Sequence, residues 1–194
     1  MSLIPDFKLG LWNAWIFVLL GLLIGVVSWI LINKEAMKKY KAVPDVPKTR
    51  VEEISDKIYL PFTIASMVYS VFLPIKLGTL WFIVGLMIWV LSMVIGIMTF
   101  VSFSTAPLDE LVTKGIYRIS RNPTCLSGFL ADAGLGIACA SWVFLLYAVV
   151  DITLMHISME AEERFLLEKY GDAYREYMNR TPRWIGIPKS EKKD

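Results

Sequence analysis

From Leu77 to Phe103 the chain carries no charged side chain, and from Leu11 to Ile32 it carries none either. A helix needs roughly 20 apolar residues to cross about 30 Å of hydrocarbon, and within that layer every backbone N–H and C=O has to be satisfied by the segment itself. Both stretches are therefore expected to be helices long enough to span, the longer one with tilt. Ile58 to Ile75 is also uncharged but shorter, with Pro61 and Pro74 near its ends, where a missing amide donor is easiest to tolerate. Beyond Cys125 the apolar signal resumes, includes Asp132, and runs to about Ile157 with Asp151 and His156 near its end. That is too long for one straight crossing. The small run Gly134-Leu135-Gly136 and the segment Cys139-Ala140-Ser141 read as the break of a tight helical hairpin, with a short fourth helix near Leu126 to Ala138 and a fifth from about Trp142. With 56% hydrophobic residues and a mean hydropathy of +0.54, an ordinary soluble domain is excluded. The expected fold is an all-α integral membrane protein of about five transmembrane helices, the last two a hairpin, with a re-entrant fourth helix as the open alternative.

Orientation follows from the basic residues flanking the spans. Lys34, Lys38, Lys39, Lys41, Lys48, Arg50 and Lys57 fill the first connection, Lys114, Arg118 and Arg121 the third, and eight more lie beyond Arg164 inclusive. Five crossings put all three groups on one side, the cytoplasmic one, with the amino terminus outside and only Lys8 and Lys76 opposite. The first apolar stretch exceeds the 7–15 residues of a signal-peptide core and lacks a basic cluster before it, so it is expected to persist in the mature protein. Met1 to Gly10 reads as a frayed terminus or an interfacial segment.

A net charge of +2 leaves no footprint for nucleic acid. Cys125 and Cys139 fall near opposite faces, too far apart for a disulfide, and with His156 as the only histidine no metal site is expected. Gly21 and Gly25 match the small-residue spacing of close helix packing, read here as an intramolecular contact in a monomer. The chain is taken as one domain, 1–194, in which 1–76 is accessory and 77–194 is the core.

Chemistry concentrates in two polar blocks that five crossings would bring side by side. The first, Asp109 to Cys125, has Gly115 for a backbone turn and close ligand approach, Pro123 to open the next helix, and free amides at that helix start for an anionic group. An ordinary loop marked by topology-setting arginines explains the same residues. In the second block, Glu160 to Trp184, intervals of four and three put His156, Glu160 and Glu163 on one helix face, suited to a cation or simply to solvent. Tyr170, Tyr174 and Tyr177 form a stripe at helical spacing, able to wrap an aromatic ligand or to anchor at the interface. Asp132 and Asp151, costly within apolar helices, read as structural partners or as the lining of an access path.

Taken together, Leu111-Val112-Thr113-Lys114-Gly115-Ile116-Tyr117, Arg121-Asn122-Pro123, Glu162-Glu163, Tyr170-Gly171, Tyr174, Tyr177 and Thr181-Pro182-Arg183-Trp184 resemble the isoprenylcysteine carboxyl methyltransferase family, in a prokaryotic form, and its wider group of small membrane methyltransferases. The resemblance covers about Leu108 to Pro188. It implies S-adenosylmethionine as cofactor and S-adenosylhomocysteine as product, bound in a cytosolic carboxy-terminal cap. Carried over by motif, Glu110, Leu111, Val112, Gly115, Tyr117, Asn122, Pro123, Cys125, Glu162, Glu163, Tyr174 and Tyr177 would contact the cofactor. The family usually has His at Asn122 and Tyr at Cys125. Eukaryotic members place an Arg and, four residues later, a Glu at the substrate carboxylate; the corresponding residues here are His156 and Glu160, and a neutral histidine would weaken carboxylate recognition. The resemblance implies methyl transfer to the carboxylate of a prenylcysteine-like lipophilic substrate entering from the bilayer, among membrane lipids. The alternatives are a phospholipid or amine N-methyltransferase on the same scaffold, a membrane reductase, and a non-enzymatic interaction protein.

Overall fold

The structure, a computed structural model, describes residues 8–31, 47–107 and 110–186. Its helices are α1 (Trp15–Leu31), α2 (Arg50–Val71), α3 (Leu80–Thr105), a 3-10 turn (Gly115–Arg118), α4 (Pro123–Ala138), α5 (Trp142–Tyr170) and α6 (Asp172–Arg180). α3 and α5, at 26 and 29 residues, are long and apolar enough to cross a membrane, while α1 is apolar but has 17 residues. The expected features at Met1–Phe7, at Ile32–Val46, at Leu108–Asp109 and beyond Gly186 lie outside the described residues.

The helix starts depart from the hydropathy boundaries for identifiable reasons. α2 begins eight residues before Ile58 because Thr49 and Glu52 close a capping box: the Glu52 carboxylate accepts from the Thr49 N–H at 2.7 Å, and the Thr49 hydroxyl accepts from the Glu52 N–H. Pro61, expected near an end, therefore lies inside the helix, where it forfeits the bond its missing N–H would have made. α1 starts at Trp15 rather than Leu11 because the preceding residues pair with the chain between α2 and α3. Asn13 bridges Pro74, the Ala14 N–H donates to the Leu73 carbonyl at 2.8 Å, and the Ile75 N–H donates to the Trp12 carbonyl at 3.0 Å. The buried Asn13 amide adds bonds to the carbonyls of Lys8 (2.6 Å) and Val71 (2.7 Å). One buried side chain thus satisfies backbone from two segments, as burial of polar groups demands.

The hairpin of α4 and α5 forms as expected: α4 ends at Ala138, α5 starts at Trp142, and of the two segments read as its break only Cys139-Ala140-Ser141 makes the turn. Gly134-Leu135-Gly136 stays helical and buried. The turn is made at Ala140, which adopts φ 51°, and Ser141 caps α5 by accepting from the Phe144 N–H at 3.2 Å. The glycines serve packing instead. A Cβ on Gly85 of α3 would stand 2.3 Å from the Ala138 nitrogen and 2.5 Å from the Gly134 oxygen, and one on Gly134 would stand 2.8 Å from the Gly85 oxygen. The backbones of α3 and α4 therefore touch, a contact extended by the Ser127 hydroxyl donating to the Ser92 carbonyl at 2.9 Å. Beside it Phe17, Trp89, Leu135 and Phe144 form the core, with Phe17 edge-on to Trp89 at 5.2 Å. The 16 residues of α4 rise about 24 Å. The Gly21–Gly25 pair makes no such contact: a Cβ at either would meet nothing within 4 Å among the described residues, contrary to the expected intramolecular packing.

α2 braces α5. Along α2, Ser55 donates to the Leu154 carbonyl at 3.1 Å, Asp56 accepts from the Ser158 hydroxyl at 2.7 Å, and Glu52 receives both guanidinium arms of Arg164 at 2.6 and 2.7 Å. These contacts hold the polar end of α5 in place. The Arg164 hydrogen bond is the main reason that the Glu52 carboxyl drops from 4.5 to about 2. α5 then stops at Gly171, whose φ of 53° suits glycine, and α6 begins. That break divides the tyrosine stripe. Tyr170 stays on α5 against Lys169, whereas Tyr174 and Tyr177 are buried on α6.

Candidate active site

The loop before α4 and the segment after α6 lie side by side at the polar end. The Arg121 N–H donates to the Pro182 carbonyl at 3.0 Å and the Gly186 N–H to the Ile119 carbonyl at 3.2 Å. Ser120, fully buried, donates to the Arg183 carbonyl at 3.3 Å and accepts from the Asn122 N–H at 3.1 Å. The Tyr177 hydroxyl donates to the Tyr117 carbonyl at 2.7 Å. Burial pushes the phenols of Tyr117, Tyr174 and Tyr177 well above their usual range, so all three stay neutral and present aromatic surface. Gly115 has φ 63°, and a Cβ there would lie 2.2 Å from the Ser102 hydroxyl of α3. The close approach it permits is to another helix.

Glu163 is the hub of the polar cluster. Its Oε1 accepts from the Asn122 amide at 3.3 Å and faces Arg121 at 3.6 Å, while its Oε2 accepts from Arg183 at 2.6 Å. Its side chain is 11% exposed, so three partners offset the cost of burying one carboxylate. Glu162 differs. It is solvent-exposed, yet surrounding protein mass raises its pKa, with repulsion from Glu163 adding to the effect. Pro123 occupies the first turn of α4, and Asn122 at the N-cap makes no side-chain cap bond because its amide is turned to Glu163.

On the far side of the hub, Arg183 reaches the Nε2 of His156 at 3.3 Å, and the His156 ring stacks on Trp184 at 5.6 Å. Glu160 Oε1 lies 3.8 Å from the same nitrogen. The Nδ1 of His156 and the Nε of Arg121 are buried without a hydrogen-bond partner among the described residues. Cys125 is buried with its sulfur 3.1 Å from that of Met159.

Of the residues expected at the site, Asn122 and Glu163 thus share a cluster that reaches His156 through Arg183, Glu160 lies 3.8 Å from His156, and Tyr117 and Tyr177 form a pair of their own. Tyr174 packs beside Tyr177 at 6.0 Å. Glu110, Leu111 and Val112 lie in the segment leading in, Glu110 exposed and the other two half-buried. Arg121, Ser120, Arg183 and Trp184 were not expected as site residues. Arg121, like Arg183-Trp184, only marks a motif, and topology also accounts for it; nothing local in the sequence points either arginine at Glu163.

The family profile for phospholipid methyltransferase matches residues 73–173, just over half of the chain. The chain belongs to the phospholipid methyltransferase family. That family includes the isoprenylcysteine carboxyl methyltransferases, as the sequence resemblance anticipated. No curated protein is similar enough to match the chain. The matched region of this membrane methyltransferase runs from the Leu73 bridge through α3, the loop, the α4–α5 hairpin and the Glu162–Glu163 pair. It ends before Tyr174, Tyr177, Arg183 and Trp184, so the strap that completes the polar cluster lies beyond it.

Proposed function

We propose that this methyltransferase uses S-adenosylmethionine to methylate the carboxylate of a prenylcysteine-like lipophilic substrate, at the cytosolic face of a five-span protein whose amino terminus is outside. The supporting observation is the guanidinium of Arg183 beside His156. Carboxylate recognition calls for a permanent cation, which histidine alone does not supply; the tail brings one to the middle of α5, 3.3 Å from the ring.

The residues at the polar end fit the cofactor generally used by this family. The α4 start, free of a side-chain cap, suits a carboxylate. Glu162, an exposed carboxylate beside the cluster, suits a cation, and Tyr117, Tyr174 and Tyr177 offer an aromatic wall. Glu163 is already engaged by Arg121, Arg183 and Asn122, so it holds the wall together. When bound, S-adenosylmethionine supplies an electrophilic methyl group on a sulfonium. A carboxylate acceptor is already a nucleophile and needs no covalent help from the chain. The task left to His156, Glu160 and Arg183 is to hold it in line and exclude water, and such positioning is worth roughly 7–11 kcal/mol in favourable systems.

A second reading, N-methylation of a phospholipid amine, is favoured by the half-exposed carboxylate of Glu160, which would attract an ammonium headgroup. Membership in a methyltransferase family weighs against the reductase and interaction-protein readings. The test is calorimetric titration of the detergent-solubilised protein with S-adenosylmethionine and S-adenosylhomocysteine, with reduced nicotinamide as control, followed by methyl transfer to N-acetyl-S-farnesylcysteine and to phosphatidylethanolamine. Binding of the two sulfur ligands and methylation of the first acceptor are expected. Methylation of phosphatidylethanolamine alone would overturn the carboxylate assignment, and no binding by folded protein would overturn the cofactor.

A further inference from the structure

We infer that Arg183, beyond supplying a cation at the acceptor end, fixes His156 as its Nδ1–H tautomer and so presents one buried N–H donor to an oxygen of the methyl acceptor. The placement of this donor at the acceptor end rests on the function proposed above. The tautomer follows from the geometry alone.

A guanidinium has five N–H donors and no acceptor. With Arg183 Nη1 at 3.3 Å, the Nε2 of His156 can only accept, because a ring protonated there would set N–H against N–H. The proton of the neutral imidazole therefore sits on Nδ1, the rule being that one ring nitrogen's partner decides the state of the other. Glu160, the other charged group facing the ring, would favour the opposite tautomer, but at 3.8 Å it lies outside hydrogen-bond range. The arrangement is held from several directions. Arg183 Nη2 is tied to Glu163 at 2.6 Å, its carbonyl accepts from the buried Ser120, and Trp184 stacks on the imidazole face.

The consequence lies at Nδ1, which is buried and has no partner among the described residues. An unpaired buried donor is unfavourable, and an acceptor atom that reaches it when substrate is seated relieves that cost. A carboxylate or other oxygen bears the lone pair required. A protonated amine does not, so at this atom the device discriminates for oxygen over ammonium.

The single histidine of the chain makes the test direct. In protein carrying 15N-histidine, in detergent with S-adenosylhomocysteine and mildly alkaline buffer, a two-bond proton–nitrogen correlation spectrum reports His156 alone. The wild-type protein is expected to show a protonated Nδ1 and an unprotonated Nε2. Arg183→Met should move the proton predominantly to Nε2, towards Glu160, and Arg183→Lys should keep it on Nδ1. A wild-type spectrum of the Nε2–H form would overturn the inference without any variant, and so would an unchanged tautomer in folded Arg183→Met. Adding N-acetyl-S-farnesylcysteine should shift the Nδ1 proton downfield. No shift while that acceptor is being methylated would refute the contact. The expected tautomers without methyl transfer to the carboxylate would support the assignment of Arg183 and refute only the acceptor proposed above.

Discussion

α1 and α4 both carry glycines, and they use them in opposite ways. On α4, Gly134 lies against α3 so closely that an added Cβ would strike the Gly85 oxygen at 2.8 Å; on α1, a Cβ at Gly21 or Gly25 would touch nothing within 4 Å among the described residues. Hydropathy does not separate the two cases, since lipid solvates an apolar face as well as another helix does. What differs is the partner. α3 offers a glycine of its own at the matching height, and polar bonds fix the register: Ser127 to the Ser92 carbonyl, and Lys76 N–H to the Ala138 carbonyl at 3.2 Å. A small-residue pair therefore permits contact without specifying it.

The largest effect is expected at that contact. Gly85→Val should cost about 3 kcal/mol, the top of the usual range for overpacking, because the atoms in its way are backbone nitrogen and oxygen. Thermal unfolding in detergent measures this, and a melting temperature near the wild-type value would refute the tight interface.

Next is Glu163→Gln, which leaves Arg121 and Arg183 facing a neutral amide in a site where the carboxylate is 11% exposed. Breaking a buried pair costs about 3–5 kcal/mol; discounted for the partial exposure of Arg183, about 2 kcal/mol is expected, with weakened binding of S-adenosylhomocysteine by calorimetry. Glu160→Gln touches an exposed residue at the other end of the cluster. It should lower methyl-transfer turnover about tenfold, equivalent to roughly 1.4 kcal/mol, while leaving cofactor affinity nearly unchanged. Equal losses of both would contradict its placement on the acceptor side.

The brace between α2 and α5 separates from the site by its pH dependence. The Glu52 carboxyl is lowered from 4.5 to about 2, chiefly by Arg164. Its contribution is therefore fully present above the unfolded value and is lost as pH falls through the folded one. The stability difference between wild type and Glu52→Gln should shrink over that interval. A difference that is constant with pH would mean that the ion pair does not support the fold. The smallest effect is expected at Gly21→Ala, neutral or stabilising by up to about 1 kcal/mol through helix propensity. A clear loss of stability there would show that α1 does pack through its glycines.

Much of the architecture was legible because its cause is local. The absence of charge over Leu77–Phe103 demands a helix wherever hydrocarbon surrounds it, and the structure has one over Leu80–Thr105. The hairpin was likewise visible, since the apolar run after Cys125 is too long for one crossing. Its ends at Ala138 and Trp142 were legible too, with Ala140 of the segment Cys139-Ala140-Ser141 making the turn; Gly134 and Gly136 also look like helix breakers but stay helical, their bare Cα atoms filled by α3 and by Leu145. Pro61 was misjudged because the capping box at Thr49, rather than hydropathy, sets the start of α2.

For the site, spacing along α5 was enough to align His156, Glu160 and Glu163, and the family motifs pointed to Tyr117, Asn122 and Tyr177. The sequence alone, through charge and periodicity, determined an apolar helical chain with its polar groups gathered at one end, because those signals act within a few residues. Only the tertiary structure decided that Arg121 and Arg183 share Glu163, that the Asn122 amide leaves the α4 start uncapped, and that Arg183 faces Nε2 of His156. Those outcomes depend on segments tens of residues apart meeting within about 3 Å, the range over which hydrogen bonds act, and one-dimensional spacing carries no record of such meetings.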